Sequence, residues 1–203
     1  MEYRIGLKET KGRKIYLDPE GMEGIYLYPG EIRKSGLSDG MLLSDEEIEN
    51  LRLKYVFPRA KKRALGILVK RDKTIHELEQ KLIQSQYDSR SVREALCFVE
   101  EAGYVDDLEY ARAYIRSRRK KKSFRVIRLT LSGKGISDEI LDQVFEEAGY
   151  QTREDVESAV KKYARRFPEL DRRAQEKICS HFYAKGYDIQ LIRDILFATF
   201  PPL

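Results

Sequence analysis

Hydrophobic positions repeat at a nearly fixed period through the last two thirds of the chain. Apolar anchors stand at Tyr87, Ile136 and Tyr187, spaced 49 and 51 residues apart. Further apolar side chains follow each anchor, five residues later (Val92, Leu141, Ile192) and nine residues later (Leu96, Phe145, Leu196). This period lies in the range of helical repeat proteins, whose units bury their apolar faces by stacking. The pattern predicts a mainly α protein of tandem three-helix repeats that form an elongated, curved array.

Turn and capping residues place the helices within these repeats. Glycines precede two of the anchors, whereas Tyr87 follows Ser85-Gln86. Helix starts are predicted at Thr74, at Asp88 or Ser91, at Asp106, at Ser137 and within 152–155. These are residue types that cap the free amides of a first helical turn. Helix ends are predicted at Gly103 and Gly149 and near Pro168 and Gly186.

The first 40 residues follow a different pattern. Short runs rich in β-branched and aromatic residues occur at 3–7, 13–17 and 25–28, and turn formers at 11–12, 18–21 and 29–30 separate them. They predict a small antiparallel sheet. A capping box from Ser44 to Glu47 then opens a helix that we expect to run to about Phe57, where Pro58 interrupts it. The predicted domains are 1–58 (sheet element plus helix) and three helical repeats at 59–108, 109–151 and 152–203.

Composition agrees with a folded protein that has much solvated surface. Of the 203 residues, 41% are hydrophobic and 36% charged, and mean hydropathy is −0.58. No apolar run approaches the roughly 20 residues needed to span a bilayer, and the first residues lack the apolar stretch of a signal peptide. We therefore expect a cytoplasmic protein without membrane contact.

Candidate catalytic and metal-binding residues are sparse. Cys97 and Cys179 lie among apolar neighbours and are interpreted as buried free thiols, and no C-x-x-C pair suggests zinc. His76 and His181 are more than 100 residues apart, with no nucleophile at a suggestive spacing. Asp106-Asp107 is explained by helix capping and the helix dipole. The sequence predicts no enzyme, no cofactor and no metal site.

Charge is concentrated in one stretch. Residues 110–137, the basic segment, contain no acid and ten cations: Arg112, Arg116, Arg118, Arg119, Lys120, Lys121, Lys122, Arg125, Arg128 and Lys134. Five consecutive like charges at 118–122 repel one another unless a partner neutralises them. A phosphate backbone or an acidic protein surface is the natural partner. The alternative is a solvated helix end stabilised by its dipole.

A helix-turn-helix protein that reads DNA sequence is a second alternative. The helix after the middle turn carries five acids, among them Asp138, Glu139 and Asp142, which phosphates would repel from a major groove. Sequence-specific reading of DNA is therefore disfavoured.

The central sequence GYVDDLEYARAYIRSR, residues 103–118, resembles the signature of the RecX family of bacterial recombinase regulators. Lys134-Gly135-Ile136 is similar to that family's Lys-Gly-Ile turn, and residues 40–48 resemble an N-terminal extension found in some members. The signature residues to which we assign a structural role are Gly103, Tyr104, Asp106, Asp107, Tyr110, Ala111, Tyr114, Gly135 and Ile136. One departure is Lys122-Ser123-Phe124, where the family often has Lys-Gly-Pro. This change alters how the connection turns and is compatible with a longer helix.

The resemblance implies a non-enzymatic protein that binds the filament of RecA recombinase on DNA and restrains ATP hydrolysis and strand exchange. It implies RecA as the partner, single- or double-stranded DNA as a second one, and a monomeric regulator. The competing hypothesis is a general helical DNA-binding module without a recombinase partner.

Overall fold

The computed structural model describes residues 1–10, 12–119, 121–148 and 153–199. The chain forms two compact units, Met1–Asp106 and Asp107–Leu203. The prediction of a mainly α protein with a small N-terminal sheet is confirmed. The turn residue Lys11, the helix end at Gly149 and the helix start at Thr152 lie outside the described residues.

The N-terminal element is a four-stranded antiparallel sheet in the order β3-β2-β1-β4. Its strands are β1 (Glu2–Glu9), β2 (Ile15–Pro19), β3 (Ile25–Leu27) and β4 (Leu42–Ser44). The register pairs Leu7 with Leu17 and Leu17 with Ile25. Because strand side chains alternate between faces, Ile5, Leu17 and Ile25 share one buried core.

Two elements of this region were not predicted. Helix α1 (Pro29–Lys34) begins where Pro29-Gly30 predicted a turn. Proline suits the first helical position, and the Glu31 carboxylate accepts a hydrogen bond of 2.7 Å from the Tyr28 amide. The three-residue strand β4 is too short for alternation to reveal it, and it is held by its pairing with β1.

The predicted interruption at Pro58 is wrong. Helix α2 (Asp45–Leu51) begins with the predicted capping box, in which Ser44 Oγ accepts from the Glu47 amide. It continues through a π-helical segment, Arg52–Val56, into α3 (Phe57–Leu68). Pro58 lies in the first turn of α3, where a proline is tolerated, and the Phe57 amide just before it donates to the Arg52 carbonyl five residues back.

The first repeat consists of α3, α4 (Ile75–Gln84) and α5 (Ser89–Glu101). Thr74 caps α4 as predicted, and Asp88, not Ser91, caps α5. Leu78, Leu82, Val92 and Val99 are buried in its core. The first repeat therefore has an apolar centre distinct from that of the sheet.

A buried ion pair joins the N-terminal element to the first repeat. Arg52 is 2% exposed, and its Nε lies 3.2 Å from Asp88 Oδ1. Its Nη2 donates to the Glu23 carbonyl over 3.0 Å, and its Nη1 lies 3.5 Å from Glu49. Because Asp88 also caps α5, one carboxylate fixes both the helix start and the neighbouring element.

The second unit contains the remaining six described helices. They are α6 (Asp107–Arg118), α7 (Phe124–Ser132), α8 (Asp138–Glu147), α9 (Arg153–Ala164), α10 (Arg172–Ala184) and α11 (Ile189–Thr199). One core, around Ile127, Leu131 and Leu141, belongs to α6–α8. A second, around Ile178 and Ile192, belongs to α9–α11.

The three anchors follow the same backbone turn. The anchor amides donate to the carbonyls of Leu82, Leu131 and Phe182, over 3.3, 3.2 and 3.1 Å for Tyr87, Ile136 and Tyr187. The residue before each anchor has positive φ: 65° at Gln86, 82° at Gly135 and 84° at Gly186. This is the Schellman geometry that ends a helix. The three repeats therefore share the same backbone hydrogen bond at this turn, although the first repeat has glutamine where the other two have glycine.

Candidate functional site

The basic segment covers most of α6, the connection to α7, α7 itself and the turn before α8. One of its ten cations, Lys120, lies outside the described residues. The other nine differ in how far neighbouring carboxylates neutralise them, and this decides which can face a partner.

The connection between α6 and α7 is short and capped. Helix α6 ends at Arg118, whose carbonyl accepts from the amides of Lys121 and Lys122 over 2.8 and 3.0 Å. Ser123 is buried, and its Oγ accepts from the Val126 amide at the start of α7. The longer helix with which Ser123-Phe124 is compatible does not form, because serine is a good N-cap and starts a new helix.

Arg112 is bound to two carboxylates. Its Nε and Nη2 donate to the two oxygens of Glu147 over 2.8 and 2.7 Å, and its Nη1 donates to Glu109 over 2.5 Å. The bidentate pair joins α6 to α8. Arg112 thus already has acidic partners within its own repeat.

The Arg112 pair makes a pH-dependent contribution to stability. Hydrogen bonds from Arg112, and then from Gln143, lower the pKa of Glu147 from 4.5 to about 2. A carboxylate with a depressed folded-state pKa stabilises the fold fully above its unfolded pKa. We therefore expect this contribution to be complete above pH 4.5 and to disappear as the pH falls through about 2.

An NMR titration of the Glu147 side-chain carbon measures this effect. The expected midpoint is about 2 in the unaltered protein and close to the ordinary 4.5 in Arg112→Gln. A midpoint near 4.5 in the unaltered protein would mean that the bidentate pair does not form in solution.

Arg128 is also neutralised internally. Its Nη1 lies 2.7 Å from Asp142 and its Nη2 lies 3.0 Å from Asp138, both on α8. Lys134 lies over the Tyr110 ring, 5.4 Å from its centroid. These contacts fasten α7 and the following turn to their own repeat.

Of the remaining six cations, Lys122 is half-buried and the other five are exposed. These five form no ion pair with a carboxylate of the described residues: Arg116, Arg118, Arg119, Lys121 and Arg125. We call these five the exposed cations. Arg116 and Arg119 also line a cavity of about 310 Å³ between α6 and α8, beside Ile115 and Val144.

The first half of the central signature forms the entry to α6. Gly103 has φ of 69°, which permits the turn after α5, and the Tyr104 ring is 59% exposed. Asp106 directly precedes α6 and Asp107 is its first residue. Both acids therefore stand where a negative charge is favoured by the helix dipole.

The second half of the signature belongs to the core of the second repeat. Ala111 is fully buried, and Tyr110 and Tyr114 pack against the same core. Gly135 adopts positive φ so that the chain turns, and Ile136 enters the core at 4% exposure. These residues hold α6 in place and present its exposed cations.

A cleft that the sequence did not predict lies between the second and third repeats. It has a volume of about 540 Å³ and is lined by Phe124 and Arg125 of α7 and by Tyr183 of α10, among others. The Ser123 hydroxyl fixes this junction by donating to the Gly186 carbonyl over 2.8 Å. Residues 123 and 186 are 63 positions apart, so no local pattern reveals the contact.

The cysteines and histidines occupy structural or isolated positions. Cys97 is exposed, so its predicted burial is wrong, and Cys179 is only half-buried. A hydrogen bond to Glu101 raises the pKa of the Cys97 thiol, which therefore stays protonated. The His181 ring stacks on Tyr163 with a centroid distance of 3.9 Å. Burial, and then Lys185 and Arg166, lower the pKa of His181.

The described residues contain neither a metal-binding cluster nor a helix that could span a membrane. Within those ranges, no group of three His, Cys, Asp or Glu side chains is arranged to hold a metal ion. No helix among them is long and apolar enough to cross a bilayer.

Comparisons with known proteins agree with this architecture. The model of the second three-helix domain of RecX matches residues 106–144. Regulatory protein RecX of Clostridium beijerinckii is 24% identical over 197 residues, covering 95% of this chain and 92% of that protein. The crystal structure of RecX from Lactobacillus salivarius is 26% identical, with a TM-score of 0.59, over 70% of this chain and 95% of that one. Another RecX crystal structure, 22% identical, has the same fold over 95% of this chain and 98% of its own, with a TM-score of 0.59.

These matches and the fold define a regulatory protein built from three-helix domains. Residues 106–144 match the second three-helix domain of RecX, and nearly the whole chain is similar to regulatory protein RecX.

Proposed function

We propose that this protein binds the RecA–DNA filament and inhibits its ATPase, recombinase and strand-exchange activity without catalysing a reaction itself. The observation that carries the proposal is the group of exposed cations at the end of α6 and the start of α7. Acids of the same repeat neutralise Arg112 and Arg128, yet these five side chains face solvent. Such a surface attracts DNA phosphates or acidic recombinase side chains.

Inhibition would follow from unequal binding to the states of the filament. A ligand shifts an equilibrium only as far as its affinities for the two states differ. A helical protein that fits one arrangement of successive RecA subunits, and not the next, slows the cycle that connects them. We propose that a monomer acts in this way, in the cytoplasm, with the four predicted domains as its parts.

A general DNA-binding module is the second candidate function. The same exposed cations favour it, since phosphate contacts alone support binding that is independent of sequence. The two proposals differ in what they require. The regulator needs RecA subunits for full affinity, whereas the module binds naked DNA equally well.

Substitution of Arg118, Arg119 and Lys121 by alanine tests the proposed surface. Each phosphate contact contributes about −0.7 to the slope of log K against log salt on single strands, so the slope should flatten by up to about 2. The triple variant should also lose most of its inhibition of the DNA-dependent ATPase of RecA. The measurements are co-sedimentation with RecA filaments across a salt series and steady-state ATP hydrolysis.

A charge-matched control is the triple alanine variant of Arg71, Arg90 and Arg93, three surface arginines of the N-terminal unit that lie outside the basic segment. It should bind and inhibit like the unaltered protein, and both variants should melt normally because exposed positions contribute little to stability. Equal binding and salt slope for the two triple variants would contradict the proposed surface. Binding to naked DNA that RecA does not strengthen would favour the general module.

A further inference from the structure

The cleft between the second and third repeats combines aromatic surface with a cation. Phe124 and Tyr183 are 38% and 66% exposed, and both line the cleft. Val156, Ile189 and Leu191 supply further apolar lining. The cleft therefore offers a flat apolar ligand both ring contact and protection from water.

The geometry of the cleft is fixed by the surrounding packing. Phe124 packs against Phe145 with a centroid distance of 4.3 Å, which holds its ring at the edge of the second-repeat core. The Ser123–Gly186 hydrogen bond holds the start of α7 against the α10–α11 turn. The aromatic rings are thus presented by two helices that are fastened to each other.

Charge indicates what kind of ligand enters. Arg125 is exposed at the rim and follows Phe124 directly, within a segment that contains no acid. Asp188, the acid among the lining residues, accepts hydrogen bonds from the amides of Gln190 and Leu191, over 2.7 and 3.4 Å. A ligand with a planar apolar part and an adjacent negative charge complements this arrangement.

We infer that the cleft is a nucleobase-binding site for single-stranded nucleic acid, with Tyr183 as the stacking platform and Arg125 as the contact to a neighbouring phosphate. Stacking on aromatic rings beside basic side chains is how proteins hold single strands without sequence preference. Bases in a duplex are already stacked on each other, so the cleft selects single strands. The inference rests on the proposed binding of DNA and adds to it a site away from the end of α6.

Fluorescence anisotropy with two oligonucleotides of equal length tests the cleft: one of thymidines, the other abasic. The unaltered protein should prefer the thymidine strand, and Tyr183→Ala should lose about tenfold in affinity for it, a typical effect of one base stack. The variant should bind the abasic strand normally and keep its salt slope, because no phosphate contact is lost. Tyr183→Phe should retain the preference, since it keeps the ring.

Tyr104→Ala is the matched control, because Tyr104 is similarly exposed and lies outside the cleft. Equal affinity of the unaltered protein for thymidine and abasic strands would overturn the inference, even if RecA inhibition is observed. A Tyr183→Ala variant that binds both strands normally but RecA filaments weakly would also overturn it, in favour of a protein contact. Base preference that Tyr183→Ala abolishes, in a protein that ignores RecA, would support the cleft and remove only the proposed regulation.

Discussion

Replacing Arg52 with alanine is expected to destabilise the N-terminal unit by about 3–5 kcal/mol, the usual effect of breaking a buried ion pair. The substitution leaves the Asp88 carboxylate buried without its cation and removes the hydrogen bond to the Glu23 carbonyl. Urea denaturation monitored through hydrogen exchange of the α5 amides measures the loss of unfolding free energy in this unit alone.

Arg90→Ala serves as its control. Arg90 contacts the same Glu49 as Arg52, at 3.1 Å, but its side chain is 56% exposed. An exposed pair contributes at most about 1 kcal/mol, so the urea midpoint should hardly move. If Arg52→Ala and Arg90→Ala have equal effects, the buried pair does not join the sheet element to the first repeat in the way described.

Gly186→Ala is expected to destabilise the second unit by about 2–5 kcal/mol, from left-handed backbone strain plus overpacking. At φ of 84° an added Cβ would lie 2.3 Å from Val126 Cγ2 and 2.8 Å from Ser123 Oγ. The α10–α11 turn would therefore have to move away from α7. Thermal unfolding, with exchange of the α7 and α11 amides, reports this change.

Gly103→Ala separates the effect of backbone strain from that of overpacking. Gly103 has φ of 69°, but an added Cβ there meets no atom within 4 Å, so only backbone strain of about 1–2 kcal/mol is expected. The double variant Gly186→Ala, Val126→Ala should recover part of the loss, because it removes the methyl group that would collide. Equal losses for the two single glycine variants would show that contact with α7 is not limiting.

Local signals predicted much of the fold because they act over one helical turn. The caps at Ser44, Thr74 and Ser137 each satisfy an amide three residues away, and the sequence contains both partners. The interruption predicted at Pro58 was wrong because proline is tolerated in the first turn of a helix as well as at a break. The turn at Gln86 could be predicted only from the apolar anchor Tyr87 that follows it. Packing within the repeat, rather than a glycine, holds Gln86 in the left-handed conformation.

The candidate site was predictable in composition but not in geometry. The absence of acidic residues from 110–137 is visible in the sequence, and it identified the basic segment as the candidate site. Which of them are neutralised depends on residues far along the chain, such as Glu147, which is 35 positions from Arg112. The pairing of Phe124 with Tyr183 in one cleft likewise depends on how two repeats pack. Such contacts follow from tertiary structure, for which one sequence gives no period or motif.

The π-helical segment determines how far α3 is rotated relative to α2 about the axis of their continuous helix. One α-helical residue corresponds to a rotation of about 100°, and a π turn contains an extra residue. The segment therefore lets Ile48 and Leu51 face the sheet core while Ala60 and Ala64 face the first repeat. Removing one residue from 52–56 would turn α2 by roughly a quarter of a revolution relative to α3 and expose one of these two faces. The number of residues in this segment, more than the identity of its side chains, lets one continuous helix contribute to both cores.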